Sequence, residues 1–163
     1  MTLEPVSRKR LRVSRVVLAV CLVASLSRLA AASTVPGRDG SANLTIRVES
    51  VSPKGGTLRI ALFDISTYAG HKQPPLTSAD VPAVSPETVT TLTNLRPGTY
   101  AVKMFQDFYG THKFVANRWG VPQEPFGFSN DAIPLLDQPS FNAVKFEVLR
   151  GPNSITVHLR AMP

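Results

Sequence analysis

The chain has 163 residues, of which 18 are basic, 11 are acidic and one, Cys21, is a cysteine. This length suits one small domain, with or without a targeting segment. A single cysteine excludes intramolecular disulfides and cysteine-ligated structural zinc sites. The formal net charge of +7 is compatible with nucleic-acid binding or with targeting, and the position of the charges separates these two interpretations.

The N-terminus has the pattern of a signal peptide. Basic residues are concentrated in positions 8–15, an eleven-residue apolar run follows at 16–26, and alanines occupy 30–32. Small residues at this distance are what signal peptidase requires. We therefore predict that residues 1–32 are a signal peptide cleaved near Ala32, and that the mature protein is periplasmic or secreted.

Two other interpretations of the N-terminus remain open. A retained membrane anchor needs about 20 apolar residues, but Arg28 interrupts any extension of the run at 16–26. A lipoprotein would be attached through Cys21, but Val20 is bulky where such a signal has a small residue. We expect no stable membrane span after cleavage.

Cleavage would also change the charge balance. The signal contains six of the 18 basic residues and one of the 11 acidic residues, which leaves 12 basic and 10 acidic residues and a net charge of +2. No cluster of lysine and arginine remains in the mature chain. The charge is therefore explained by targeting, and we expect no nucleic-acid partner.

Residues 33–41 are rich in serine, glycine and proline and predict a flexible linker, followed by one domain over 42–161. Apolar and polar residues alternate in several segments, as in antiparallel strands with one buried face. The predicted strands are 44–48, 58–62, 88–93, 99–106, 144–148 and 155–159. The strand at 99–106 is apolar on both faces and is predicted to be central.

Turn residues separate these strands at 53–56, 94–98 and 151–153, and the first of these turns predicts a hairpin. The proline-containing stretches 65–87 and 107–141 are predicted to be long loops, and no amphipathic helix is predicted in the mature chain. The fold class is all-β, an antiparallel β-sandwich of about seven strands with a prealbumin/transthyretin-like arrangement.

Two motifs carry a resemblance to a known family. The segment LRPGTY at 95–100 is similar to the "L-x-P-G-x-Y" turn that starts a strand in many secreted sandwich domains. The segments WGVPQEPFGFSNDA at 119–132 and PSFNA at 139–143 resemble the "G-I-P-x-E-x-Y-G-F-S-N-N-A" and "P-x-F-x-x-A" motifs of DUF2141, a family of exported bacterial proteins. The resemblance covers roughly residues 44–160. It implies the sandwich fold and no established activity.

The family's Asp-rich stretch "F-H-D-x-N-x-N-G-x-L-D-x-N" differs most from this chain. Of residues 107–117, Asp107, Gly110, Lys113 and Asn117 match that stretch, whereas Val115 replaces an aspartate. Most of the oxygen ligands that a calcium ion needs are thereby lost. We expect no metal site and no cofactor.

The loop over 107–141 is the predicted ligand-binding region, because a rigid sandwich presents its long loops for binding. The candidate residues are Asp107, Asn117, Trp119, Glu124, Phe126, Phe128, Ser129, Asn130 and Asp131. The ligand class stays open between a small molecule, a glycan and a protein of the cell envelope.

Several of these residues have two possible roles. Asp107 either accepts backbone N–H groups and fixes the loop or contacts a ligand, and Glu124 is either structural or part of a site. Trp119, Phe126 and Phe128 either pack together beneath the loop or form an exposed platform for a sugar ring or peptide. Residues 127–131 predict a tight turn whose polar side chains bond its own backbone.

We predict a non-enzymatic binding or structural module. One alternative is a hydrolase with Asp107 and Glu124 as paired carboxylates, which would have to lie about 5–9 Å apart in an open cleft. The other alternative is a metal-binding module. His71, His112 and His158 are scattered and are predicted to be surface residues. Ser129 lacks the G-x-S-x-G context of a nucleophile.

Overall fold

The computed structural model describes residues 41–69, 73–135 and 137–162. The predicted signal peptide, the linker up to residue 40 and His71 therefore lie outside the described residues. The described chain forms eight strands, two four-residue helices and one 3₁₀ turn at Ser129–Asp131. In chain order these are β1 (Ala42–Glu49), β2 (Thr57–Phe63), α1 (Ile65–Tyr68), β3 (Thr77–Pro82), β4 (Glu87–Leu95), β5 (Gly98–Asp107), β6 (Phe126–Phe128), α2 (Phe141–Val144), β7 (Phe146–Val148) and β8 (Gly151–His158).

The strands form two sheets that pack face to face, as the alternating pattern predicts. One sheet has the order β4–β1–β8, and the other has the order β3–β2–β5–β6, with β7 also paired to β5. Alternate residues of β1 are completely buried. The core between the sheets contains Leu44, Ile46 and Val48 of β1, Leu58, Ile60 and Leu62 of β2, and Val102 and Met104 of β5. The predicted all-β sandwich is confirmed, and β5 lies inside its sheet.

The strand connections differ from the predicted hairpin. The turns at 53–56 and 94–98 separate strands correctly, but each passes from one sheet to the other. The first turn is fixed by the fully buried Gln106, whose Nε2 donates to the carbonyl oxygens of Ser52 and Gly55 at 2.9 and 2.7 Å. The hairpin prediction is therefore wrong, because turn residues show where a chain reverses but not which strand it pairs with.

The C-terminal segment shows three further differences. β1 and β8 run parallel, whereas antiparallel strands were predicted. The prediction failed here because alternation indicates one-sided burial and not strand direction. The predicted strand at 144–148 begins only at Phe146, since Phe141–Val144 form α2. The predicted turn at 151–153 already belongs to β8, and the side chain of Asn153 accepts the backbone N–H of Leu149 at 2.9 Å.

Both predicted long loops contain regular structure. The stretch 65–87 contains α1, which the side chain of Asp64 caps, and the edge strand β3. The stretch 107–141 contains β6 and the 3₁₀ turn. Short strands of this kind are held by pairing with β2 and β5, so their own sequences carry little periodic signal.

Gly127 allows β6 to lie against the end of β8. The backbone groups of Phe126 and Arg160 exchange two hydrogen bonds of 3.0 and 2.8 Å. A Cβ atom on Gly127 would lie 2.9 Å from Val157 Cγ1 and 3.0 Å from the carbonyl oxygen of His158. The close approach of the two sheets at this end therefore requires a glycine.

We expect Gly127→Ala to lower the free energy of unfolding by about 1–3 kcal/mol, the usual cost of overpacking. Gly98→Ala is the matched control on β5, because its Cβ would meet Tyr100 at an ordinary 3.5 Å. The control should change the unfolding free energy by less than about 0.5 kcal/mol. Urea denaturation midpoints measure both effects, and equal midpoints for the two variants would contradict this account.

Candidate functional site

The outward-facing side of the five-stranded sheet is only partly exposed to solvent. Cross-strand pairing aligns two rows of side chains on it. The first row is Asp80, Arg59, Phe105 and Phe126, and the second is Ser78, Ala61, Lys103 and Phe128. Each row is therefore polar on the β3 side and aromatic on the β6 side.

Other segments of the chain pack over both ends of this face, and a groove lies between them. At one end Phe63, Tyr68, Ala101 and Val144 form a second buried cluster that includes residues of α1 and α2. At the other end the chain after β5 folds back over the sheet. The space between them has a volume of about 870 Å³ and is lined by both rows together with Phe63, His112, Phe114, Pro134 and Gln138. We call this space the outer groove.

Lys103 provides a partly buried cation in the outer groove. Its Nζ atom lies 4.1 Å from the ring centroid of Tyr68 and 4.6 Å from that of Phe63. The same atom donates to Gln138 Oε1 at 2.6 Å. Burial lowers the pKa of Lys103, and the charge of Asp137 opposes this effect. Lys103 is thus a positioned polar group beside aromatic surface.

Tyr68 holds one rim of the outer groove in place. The side chain is buried, and its hydroxyl donates to the carbonyl oxygen of Pro139 at 2.8 Å. Burial raises the pKa of Tyr68 to about 12. The phenol is therefore neutral at physiological pH and connects α1 to the segment before α2.

Asp107 holds the opposite rim from the end of β5. The side chain is completely buried, and its Oδ2 accepts hydrogen bonds from Arg59 Nε and Nη2 at 3.1 and 3.0 Å. The carboxylate also accepts the backbone N–H groups of Tyr109, Thr111 and His112 at 3.2, 3.1 and 2.9 Å. Burial alone would raise the pKa of Asp107, but these backbone and guanidinium hydrogen bonds outweigh it and lower the pKa to about 2.

Glu124 also fixes the backbone of the loop that follows β5. The side chain is buried, and its two oxygens accept the backbone N–H groups of Phe108 at 3.0 Å and Val115 at 3.2 Å. The hydrolase alternative requires Asp107 and Glu124 to face an open cleft. Because both carboxylates are buried and bonded to the backbone, they fix the loop and do not form such a pair.

Ser129 and Asn130 join the 3₁₀ turn to the rest of the fold. Ser129 Oγ accepts the backbone N–H of Val102 at 3.0 Å and donates to the carbonyl oxygen of Val144. Asn130 Nδ2 donates to two carbonyl oxygens of the α2 segment. The predicted turn is present, but the prediction that these side chains bond their own backbone is wrong.

Asp131 forms a chain of hydrogen bonds with His158 and Glu49. Asp131 Oδ2 lies 2.7 Å from His158 Nδ1, and Glu49 Oε2 lies 3.1 Å from His158 Nε2. The hydrogen bond to Asp131 raises the pKa of His158. Burial would raise the pKa of Asp131, but hydrogen bonds from the backbone and ring of His158 lower it overall. This cluster links the 3₁₀ turn to β8 and β1.

Trp119 and the phenylalanines have different environments. Trp119 is 74% exposed, on a turn in which Asn117 Oδ1 accepts the backbone N–H groups of Trp119 and Val121 at 2.9 and 3.0 Å. An edge-to-face series of rings lies instead beneath the loop, with centroid separations of 5.5, 5.6 and 6.1 Å. It runs through Phe105, Phe114, Phe126 and Phe128.

Two of the nine predicted residues, Phe126 and Phe128, line the outer groove, and Trp119 is exposed beside it. The other six form hydrogen bonds that shape the loops. The sequence interpretation missed Arg59 and Lys103, which occupy the groove floor. The sequence of β5 could have indicated this groove, since a strand that is apolar on both faces implies that its second face is also covered.

The described residues show neither a metal centre nor a membrane-spanning helix. No three His, Cys, Asp or Glu side chains within the described ranges are arranged to hold a metal ion. No helix in the same ranges is long and apolar enough to cross a membrane.

The fold and groove define a class: an all-β sandwich whose outer sheet face is partly covered by α1, α2 and the chain that follows β5. The model of the DUF2141 family, described as an uncharacterized protein conserved in bacteria, matches residues 46–156. The chain belongs to this family. No curated protein and no solved structure matches it significantly.

We expect Asp107→Asn to lower the free energy of unfolding by about 3 kcal/mol or more, because the Arg59 guanidinium and several backbone N–H groups lose a fully buried anion. Asp80→Asn is the matched control, since Asp80 contacts the same Arg59 from a half-exposed position, and should cost less than about 1 kcal/mol. Chemical denaturation at neutral pH compares the two variants.

The Asp107 contribution should also depend on pH. Its pKa in the folded state is below the ordinary value of 3.8. The stabilisation is therefore present above pH 3.8 and is lost as the pH falls toward 2. The stability difference between wild type and Asp107→Asn should shrink over this interval. A difference that stays constant would contradict the assignment.

Proposed function

We propose that this protein is an exported, non-enzymatic binding module that holds a small amphipathic molecule in the outer groove. The observation that carries the proposal is the groove of about 870 Å³, which has one aromatic side and one polar side. Small-molecule sites commonly measure about 300–1,000 Å³ and combine apolar walls with a few placed polar groups.

The lining residues favour a ligand with a flat or extended apolar part and a hydrogen-bonding edge. Phe105, Phe114 and Phe126 supply the apolar wall. Ser78 of β3 and Lys103 of β5 supply polar contacts. Ala61 of β2 pairs with both of these residues, and its small side chain leaves depth at the centre of the floor.

Charge does not dominate this recognition. Arg59 is already engaged by Asp80 and Asp107, so it does not need a charge from the ligand. The rims are held by the hydrogen bonds of Asp107, Glu124 and Tyr68, which reduces the ordering that a ligand would otherwise have to impose. A neutral amphipathic molecule therefore fits the groove better than a multiply charged one.

We expect Ala61→Trp to fill the groove floor and weaken binding of the neutral apolar dye N-phenyl-1-naphthylamine by at least tenfold. The matched control is Val89→Trp, which adds the same side chain at an exposed position of β4 in the other sheet. Dye fluorescence titrations measure affinity, and thermal unfolding checks that both variants fold. Equal affinity for wild type and a folded Ala61→Trp variant would refute binding in the outer groove.

The export part of the proposal is supported by the basic, apolar and small-residue segments of positions 8–32. Replacing Ala30 and Ala32 by phenylalanine should block processing in a bacterial host, because signal peptidase needs small side chains there. Ala31→Phe is the control and should be processed like the wild type. N-terminal sequencing of the protein from the periplasmic fraction should give Ser33, and a wild-type chain beginning at Met1 would contradict export with cleavage.

A further inference from the structure

We propose that the segment at 108–123, here called the aromatic tip, docks on an anionic lipid surface. This inference goes beyond ligand binding in the outer groove and does not depend on it. It rests on three features of the aromatic tip: exposed aromatic rings, cations in a segment that itself contains no carboxylate, and a backbone fixed by buried side chains.

The aromatic tip exposes three large rings within eleven residues. Tyr109 is 71% exposed, Trp119 is 74% exposed and Phe114 is 45% exposed. Phe114 also packs edge-to-face against Phe105 and Phe126, so this exposed ring is held in place by the rings beneath the loop. Exposed aromatic side chains this close together in the sequence of a small domain indicate an interaction surface.

The charged residues within the aromatic tip are both basic. Lys113 and Arg118 belong to the aromatic tip, and Lys54 of the neighbouring turn has its Nζ atom 5.1 Å from the ring centroid of Phe108. Residues 108–123 contain no aspartate or glutamate. Within the described ranges, the ion pairs involve none of these three cations.

The two carboxylates that flank the aromatic tip in the sequence do not neutralise it. Asp107 and Glu124, which bound the aromatic tip, are buried and bonded to the backbone. Asp80 contacts Arg59, and Glu49 contacts His158. The aromatic tip therefore presents net positive charge together with apolar rings, which complements an anionic interface.

The aromatic tip is held in a defined shape before it meets a partner. Glu124 joins its first residue, Phe108, to Val115 through two hydrogen bonds. Asn117 closes the turn that carries Trp119, and the guanidinium carbon of Arg118 lies 4.6 Å from the Trp119 ring centroid. Little conformational entropy then has to be lost when the rings enter an interface.

These features favour a lipid surface over a sugar chain. Tryptophan and tyrosine accumulate at membrane–water interfaces, and basic residues beside them are attracted to anionic headgroups. A sugar platform needs free polar side chains around an open ring face. Here the Asn117 oxygen is used by the turn, and Arg118 lies over one face of Trp119.

The experiment uses Trp119 as the reporter, because it is the protein's only tryptophan. Vesicles that mix phosphatidylcholine with phosphatidylglycerol should shift the emission of the mature protein to shorter wavelength. Brominated lipid chains should quench this emission. Pure phosphatidylcholine vesicles should bind much more weakly, and high salt should release the protein.

The charge contribution is tested with a double variant, Lys113→Gln with Arg118→Gln. Each basic residue near an anionic surface contributes about fivefold in partitioning, so the double variant should bind about 30-fold more weakly. The matched control is Lys145→Gln with Arg150→Gln, two exposed positions in the α2–β7–β8 region. β7 pairs with the Gly98 end of β5, away from Asp107, so the control should bind like the wild type.

Vesicle sedimentation measures the binding of all variants. Trp119→Ala should bind at least about tenfold more weakly, since an aromatic side chain is lost from the interface with the lipid. No emission shift with anionic vesicles would overturn the proposal. So would an equal loss of binding in the two double variants. Preferential binding to heparin, used as a soluble anionic glycan, would assign the surface to a sugar partner and overturn docking on lipid.

Discussion

The ion pair between the buried Asp107 and Arg59 is the interaction on which the end of the sandwich that carries the aromatic tip depends. Its carboxylate ends the inner strand β5, accepts two guanidinium hydrogen bonds and also accepts backbone N–H groups from the following turn. The same side chain thus connects the sheet to the start of the aromatic tip. Without this anion, Arg59 and several backbone N–H groups would lose a buried hydrogen-bond acceptor.

Buried polar side chains perform the same task throughout the irregular parts of the chain. Gln106 fixes the turn between β1 and β2, Glu124 closes the base of the aromatic tip, and Ser129 joins β5 to α2. Every buried polar side-chain atom in the described ranges has a hydrogen-bond partner. Long loops of a small sandwich can then be rigid, because their backbone groups are satisfied by specific side chains and not only by regular pairing.

This rigidity creates two distinct surfaces beside each other. The outer groove is concave and has its aromatic wall on the β6 side. The aromatic tip, by contrast, exposes Tyr109 and Trp119 on turns held by Asp107 and Asn117. One group of buried hydrogen bonds therefore supports both the outer groove and the exposed rings of the aromatic tip. A membrane-bound position for the aromatic tip would place the groove close to any ligand that partitions into lipid.

The sequence by itself determined the fold class, the family and most of the strands, because alternating burial is a local property of residues such as Leu44, Ile46 and Val48. It also singled out Asp107 and Glu124, but left open whether they fix the loop or belong to a site. Only the tertiary structure decided which strands pair, that β1 and β8 are parallel, and that Lys103 and Phe105 form the floor of a groove. These features depend on contacts between residues far apart in the chain, and the pattern within one segment does not encode them. The reach of Arg59 to Asp107 across 48 positions is of this kind.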